Sequence, residues 1–141
     1  MTKIPCSGEH KPVIDQQITL FNNSDFARML RMRITEASDG YARVGMDAVG
    51  KNNPHNVTHG GAIFALADQA FGIAANCAGT DRVAVSVHIQ YIAPATKDLV
   101  AVAHRVSENG PYSVFCVMVY EGERIFAEFD GVALQINPRW E

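Results

Sequence analysis

The longest apolar stretch of the chain, from residue 60 to residue 79, predicts a buried helix. Its only strongly polar side chains are Asp68, Gln69 and Asn76, and it contains no lysine or arginine. A helix that is apolar on nearly every side is normally buried. Gly79 stands where a left-handed residue would end such a helix, so we expect a helix over residues 61–78.

Alternation of apolar and polar residues predicts strands on both sides of this helix. Two strands precede it, joined by the turn sequence Ser38-Asp39-Gly40, which is typical of a hairpin. Four more follow it. In the first of these four, the alternation places one apolar face opposite one polar face: Val83, Val85, Val87, Ile89 and Tyr91 against Ser86, His88 and Gln90. The predicted strands cover residues 31–36, 41–48, 82–92, 99–106, 112–120 and 125–136.

These elements predict an α+β protein with one antiparallel sheet wrapped around a long central helix. Residues 1–17 contain two prolines and a glycine and are expected to be irregular. Ser24 and Asp25 would cap a short helix ending at residue 30. Residues 18–141 then form a single domain. Strands of this length leave apolar faces and one edge uncovered, which favours an oligomer.

Charge and composition exclude several classes of function. The 141 residues carry a net charge of −3 from 12 basic and 15 acidic side chains, without a basic stripe or a charged tail. Nucleic acid is therefore not an expected partner. The sequence predicts neither a signal peptide nor a membrane span. Cys6, Cys77 and Cys116 are widely spaced, so we expect reduced thiols, the last two in the core, and a cytoplasmic protein.

Asp68 is the candidate for catalysis because it lies in an apolar helix without a nearby cation. Burying a carboxylate there costs free energy or raises its pKa. Upstream, Gly60 and Gly61 stand at the start of the helix, where backbone N–H groups lack helical acceptors and can approach a carbonyl. A donor cluster together with an isolated acid indicates acyl chemistry.

Each candidate also has a purely structural interpretation. Asp68 could cap a neighbouring backbone group, and the two glycines could serve only close packing. Asn53 precedes Pro54 and could simply initiate a turn, and Ser86 could be an ordinary strand residue. His55 and His59 are four residues apart, but Pro54 and the glycines disfavour a continuous helix there, so no metal site is predicted.

The spacing Asn53-x6-Gly60-x7-Asp68, together with Ser86 and the strand end Gln90-Tyr91-Ile92-Ala93-Pro94-Ala95, resembles the hotdog-fold acyl-CoA thioesterases of the PaaI type. The resemblance extends over roughly residues 20–137, judged by the order of elements. It implies a homo-oligomer, a dimer or a dimer of dimers, that hydrolyses acyl-CoA to a free acid and CoA without a cofactor.

The resemblance also implies roles for individual residues. Asp68 would be the general base or the nucleophile, Gly60 would donate its N–H to the thioester carbonyl, and Asn53 would assist there. Ser86 would position the attacking water. His59 and Gly61 would border the substrate. The CoA phosphates would meet one or more surface cations, for which the candidates are Lys51, Arg82, Lys97, Arg105 and Arg124.

Two other functions stay open at this stage. One is a hotdog hydratase or dehydratase, which would be expected to pair a histidine with its acid. The other is a non-catalytic acyl-CoA sensor, in which Asp68 would be dispensable.

Helix geometry predicts that the site is shared between two subunits. Gly60 and Asp68 are eight residues apart, which corresponds to about 12 Å along a helix. Reacting atoms must come within about 3–3.5 Å of one another, so one helix can hardly present both groups to one carbonyl. Two antiparallel helices related by a two-fold axis could do so.

Overall fold

The computed structural model of the protein describes residues 11–136 and contains one sheet and three helices. The helices are α1 (Lys11–Asn22), α2 (Asp25–Met29) and α3 (Gly60–Asn76). The strands are β1 (Arg33–Ser38), β2 (Tyr41–Met46), β3 (Arg82–Tyr91), β4 (Leu99–Asn109), β5 (Tyr112–Glu121) and β6 (Arg124–Gln135). None of the described helices has the length and apolar character needed to cross a membrane.

The six strands form a single antiparallel sheet in the order β1-β2-β4-β5-β6-β3. After α3 the chain crosses to the other edge of the sheet, where β3 pairs with β6 alone. Strands β1 and β3 are therefore the two edges. The α+β class and the predicted order of helix and strands are confirmed.

Helix α3 packs against one face of the sheet, with Phe71 at the centre of the contact. The Phe71 ring centroid lies 5.3 Å from that of Phe115 and 5.8 Å from that of Phe129. Gly131 provides the space for this ring, because a Cβ at that position would lie 2.9 Å from Cζ of Phe71. Cys77 is fully buried as expected, whereas Cys116 is only half-buried.

The prediction of an irregular segment over residues 1–17 is wrong for residues 11–17, which belong to α1. Residues 1–10 lie outside the described residues. Pro12 is tolerated because it stands in the first turn, where backbone N–H groups have no helical acceptor.

Contacts with the rest of the protein stabilise α1. Ile14 is buried, and Ile18 and Phe21 pack against the core. The Gln17 side-chain amide donates to the carbonyl of Asn76 at the end of α3, over 3.0 Å. The helix is thus held by tertiary packing, which its own sequence pattern does not reveal.

Strand β3 departs from the predicted alternation because it contains a bulge. Its register against β6 shifts between Ala84 and Ser86, so Val83 pairs with Leu134 and Val87 pairs with Gly131. Cross-strand partners share a face of the sheet, and alternate residues change face. Val83 therefore lies on the face opposite Val87, which corrects the single apolar face predicted for this strand.

Candidate functional site

The loop before α3 is shaped by the side chain of Asn53. Its Oδ1 accepts hydrogen bonds from the backbone N–H groups of His55 and Val57, over 2.8 and 3.3 Å. The predicted turn is therefore confirmed. The Nδ2 of Asn53 has no acceptor among the described residues, so the same side chain can hold the turn and still donate to a ligand.

His59 caps the N-terminus of α3. Its Nδ1 accepts a hydrogen bond of 2.8 Å from the backbone N–H of Gly61, and a Cβ at Gly61 would lie 3.0 Å from that nitrogen. Since Nδ1 is the acceptor, the proton of the neutral imidazole is on Nε2. The Gly61 N–H is thus already used inside the protein, and of the two glycine donors expected for a substrate only one is left.

Gly60 supplies that remaining donor. No acceptor for its N–H lies within residues 11–136. The Tyr91 hydroxyl donates to the Gly60 carbonyl over 3.0 Å, and a Cβ on Gly60 would lie 3.3 Å from Cζ of Tyr91. The aromatic ring therefore lies directly against the glycine and holds it in place.

Gly60 and Asn53 line the same pocket, which has a volume of about 290 Å³. Tyr91 forms part of its wall, a role that the sequence alone did not indicate. Burial raises the pKa of the Tyr91 phenol, which keeps the hydroxyl a donor. The pocket is lined by Asn53, Thr58, Gly60, Ile63, Tyr91, Ile92, Ala93, Pro94 and Ala95.

A second cavity of about 440 Å³ lies beside the His59–Gly61 turn. Phe26, Leu30 and Ala62 make one part of its lining apolar, and Lys51, Asn52 and His59 contribute polar groups. His59 thus borders this second cavity and does not line the pocket of Asn53 and Gly60.

Asp68 does not share the pocket of Gly60 within one chain. It lies further along α3 and its side chain is exposed, contrary to the expectation of an acid buried in the single chain. The expectation failed because α3 is not covered on every side: Gly61 and Asp68 are exposed along it, with Phe64 half-buried between them. Asp68 has no hydrogen-bond or ion-pair partner among the described residues, and the surrounding protein atoms raise its pKa by desolvation.

Ser86 lies on the opposite face of the sheet from α3. It pairs with Val132, whereas the buried β6 residues Phe129 and Ala133 occupy the helix side. Ser86 directly precedes Val87, which pairs with Gly131 on the helix side, so alternation places the Ser86 side chain on the opposite face. Within one chain the Ser86 hydroxyl is therefore not brought to Asp68, and its predicted role with the attacking water gains no support from the fold.

Most of the candidate cations for CoA phosphates are already paired. The Lys51 ammonium is buried and lies 2.8 Å from Asp47. Arg82 contacts Glu108, and Arg105 contacts Asp39 and Glu108. Lys51 is therefore buried and not at the surface as expected, although it lines the second cavity. Of the five, Lys97 and Arg124 are exposed and form no ion pair with any described residue.

The chain is similar to known thioesterases. A family model described as thioesterase superfamily matches residues 55–123. The acyl-coenzyme A thioesterase PaaI of Escherichia coli K12 is 31% identical over 124 residues, which is 84% of this chain and 87% of that protein. An Archaeoglobus fulgidus protein, named as a candidate esterase, is 32% identical over 143 residues, covering 97% of this chain and 93% of its own.

The likeness extends to three dimensions. The solved structure of the Escherichia coli PaaI protein from the phenylacetic acid degradation operon superimposes with a TM-score of 0.83 at 27% identity. The match covers 89% of this chain and 95% of that one.

Proposed function

We propose that this chain, which belongs to the PaaI-type thioesterases of the hotdog fold, hydrolyses an acyl-CoA thioester to a free acid and CoA. The observation that carries the proposal is the pocket of Asn53 and Gly60, where two donors have no acceptor within the described protein. The names of the relatives support the same substrate class. The reduced thiols Cys77 and Cys116 are consistent with a reaction in the cytoplasm.

In this proposal the thioester oxygen accepts hydrogen bonds from the Gly60 N–H and Asn53 Nδ2. These donors stabilise the negative charge that develops on the oxygen when the carbonyl carbon is attacked. Asp68 either takes a proton from the attacking water or attacks directly, forming an anhydride that water then opens. Collapse of the tetrahedral intermediate expels the CoA thiolate, which takes up a proton.

We also propose that Asp68 of the partner subunit completes each site. Helix α3 runs antiparallel to β3, because Gly60 contacts Tyr91 at one end and Asn76 bonds to Arg82 at the other. The outer edge of β3 is open. Two chains that pair along this edge would place their α3 helices side by side in opposite directions. A two-fold axis beside Phe64, midway between Gly60 and Asp68, would align each Gly60 with the other subunit's acid.

Activity is tested with a panel of acyl-CoA substrates and an assay for free thiol. Asp68→Asn should lower kcat by about 10²–10⁴, the range for loss of a general base, or by more if attack is covalent. Asp130→Asn removes the same charge from an exposed position on the far face of the sheet and should keep the wild-type rate. Binding of acyl-CoA without any release of CoA would instead identify a sensor module.

The shared site is tested by refolding an equimolar mixture of Asn53→Ala and Asp68→Asn chains. Random pairing makes half of the dimers mixed, and each of these has one intact site and one doubly damaged site. Roughly a quarter of the wild-type activity should therefore return. Purified heterodimers that are no more active than the average of the parents would place the complete site within one chain.

A further inference from the structure

The hydroxyl of Thr58 is buried and has no hydrogen-bond partner. Thr58 is 4% exposed, and its Oγ1 meets no donor or acceptor within the described part of the chain. The backbone of the same residue is held firmly, since its N–H donates to the carbonyl of Ala95 over 2.8 Å and it forms a bridge with Asn52. Native proteins seldom leave a buried hydroxyl unpaired, because its desolvation is not compensated.

Thr58 lines the same pocket of about 290 Å³ as Asn53 and Gly60. The Asn53 Nδ2 and the Gly60 N–H also lack acceptors among residues 11–136. The Tyr91 hydroxyl, by contrast, already donates to the Gly60 carbonyl. Three donors without acceptors therefore belong to residues that line one pocket.

We propose that Thr58 is a third hydrogen-bond donor to the thioester oxygen, a deepening that rests on the function proposed above. The hydroxyl keeps its proton throughout and only its hydrogen bond changes. The interaction is strongest when the oxygen carries negative charge, so it belongs mainly to the transition state. Because Oγ1 is shielded from solvent without a ligand, the side chain must change rotamer or the pocket wall must move when the substrate enters.

The test is the isosteric change Thr58→Val, measured by kinetics and by urea unfolding. A hydrogen bond to a charged acceptor accounts for a fall in kcat of about 10- to 150-fold. Removing an unpaired hydroxyl should leave the free energy of unfolding unchanged or higher. Thr58→Ser keeps the hydroxyl and should retain kcat within a few-fold of wild type.

Ser113→Ala is the matched control. Ser113 is 2% exposed, but its hydroxyl donates to Glu108 over 3.3 Å and it does not line the pocket. This variant should show the opposite pattern, a lower free energy of unfolding with a wild-type kcat. A wild-type kcat in Thr58→Val would overturn the proposal. So would a loss of stability in that variant, since it would reveal a partner for the hydroxyl within the protein.

A second measurement separates this proposal from the activity itself. An acyl-CoA analogue in which a methylene replaces the sulfur retains the carbonyl and cannot be hydrolysed. It should bind about 2- to 10-fold more weakly to Thr58→Val than to wild type, as for loss of a neutral hydrogen bond. If wild type hydrolyses no acyl-CoA, the proposed function fails, and the affinities of wild type and Thr58→Val for the analogue decide about Thr58. Equal affinities would then reject Thr58 as a donor.

Discussion

The carboxylate of Asp68 combines an exposed position in the single chain with a raised pKa. Desolvation by the surrounding protein is the cause, and no described residue compensates with a positive charge. The ionised form is therefore held at a cost in folding free energy. A group kept in such an environment for catalysis should oppose stability while supporting activity.

Replacement of Asp68 by asparagine should consequently change activity and stability in opposite directions. Because the pKa of Asp68 is raised in the folded state, its protonation favours folding at pH values below its ordinary pKa of 3.8. This contribution is lost as the pH rises through the folded pKa. At neutral pH, Asp68→Asn should have an equal or higher free energy of unfolding than wild type. The difference should shrink in acid, as urea titrations at several pH values would show. A less stable variant at neutral pH would mean that Asp68 makes a stabilising structural contact.

For single residues, the sequence predicted contacts only where the two partners lie close together in the chain. The turn at Asn53 depends only on its next few neighbours. The contact of Tyr91 with Gly60 joins residues 31 positions apart and could not be read in this way. The face of Val83 depends on a bulge that alternation alone does not indicate.

Helices and strands were likewise predicted where their own sequence pattern determines them, and missed where distant contacts stabilise them. All six strands and α3 were predicted because their apolar periodicity is strong over many residues. Helix α1 was missed, since its stability comes from the contact of residues such as Ile14 and Phe21 with core residues that lie later in the chain. The exposure of β3 agrees with the uncovered edge expected from the sequence, but alternation did not indicate which strand forms that edge.

The packing of α3 against β6 depends on the missing side chain of Gly131. Gly131→Ala would place a Cβ 2.9 Å from the Phe71 ring, and overpacking of this kind lowers the free energy of unfolding by about 1–3 kcal/mol. Gly45→Ala, in β2 of the same sheet, is the matched control because no atom lies within 4 Å of its added Cβ. Urea unfolding of both variants should show a loss for Gly131→Ala alone, and Phe71→Leu should partly restore it. Equal stabilities would show that the ring moves aside freely.

The whole molecule carries a net charge of −3, so an anionic substrate would need local positive charge. Lys97 and Arg124 are exposed cations without an ion pair among the described residues. Lys97 lies two residues beyond Ala95 of the pocket, and Arg124 lies two residues before Phe126, whose carbonyl accepts from Ile92 of the pocket wall. Both are therefore near the rim where the CoA nucleotide would emerge. Arg33, on the opposite edge strand, has a similarly exposed side chain.

Removal of either rim cation should weaken substrate binding without affecting chemistry. Lys97→Ala and Arg124→Ala should each raise KM for acyl-CoA by about 2- to 5-fold, with kcat unchanged, as expected for one exposed charge contact. The effect should diminish at high salt. Arg33→Ala makes the same change in net charge and should leave KM as in wild type. A uniform rise in all three variants would indicate long-range attraction by the overall charge instead of contacts at the rim.

The open edge of β3 also affects how readily each newly synthesised chain aggregates before it pairs with another copy. Until it meets another copy, the chain carries a row of unpaired backbone groups beside half-exposed valines, a surface to which many extended segments could attach. Under the proposed pairing, burial of this edge depends on encounters between chains and is slow when they are scarce. The bulge at residues 84–86 twists the strand locally, which makes a flat foreign segment a poor match. The bulge that moves Val83 to the other face of the sheet would thereby protect the solitary chain from aggregation.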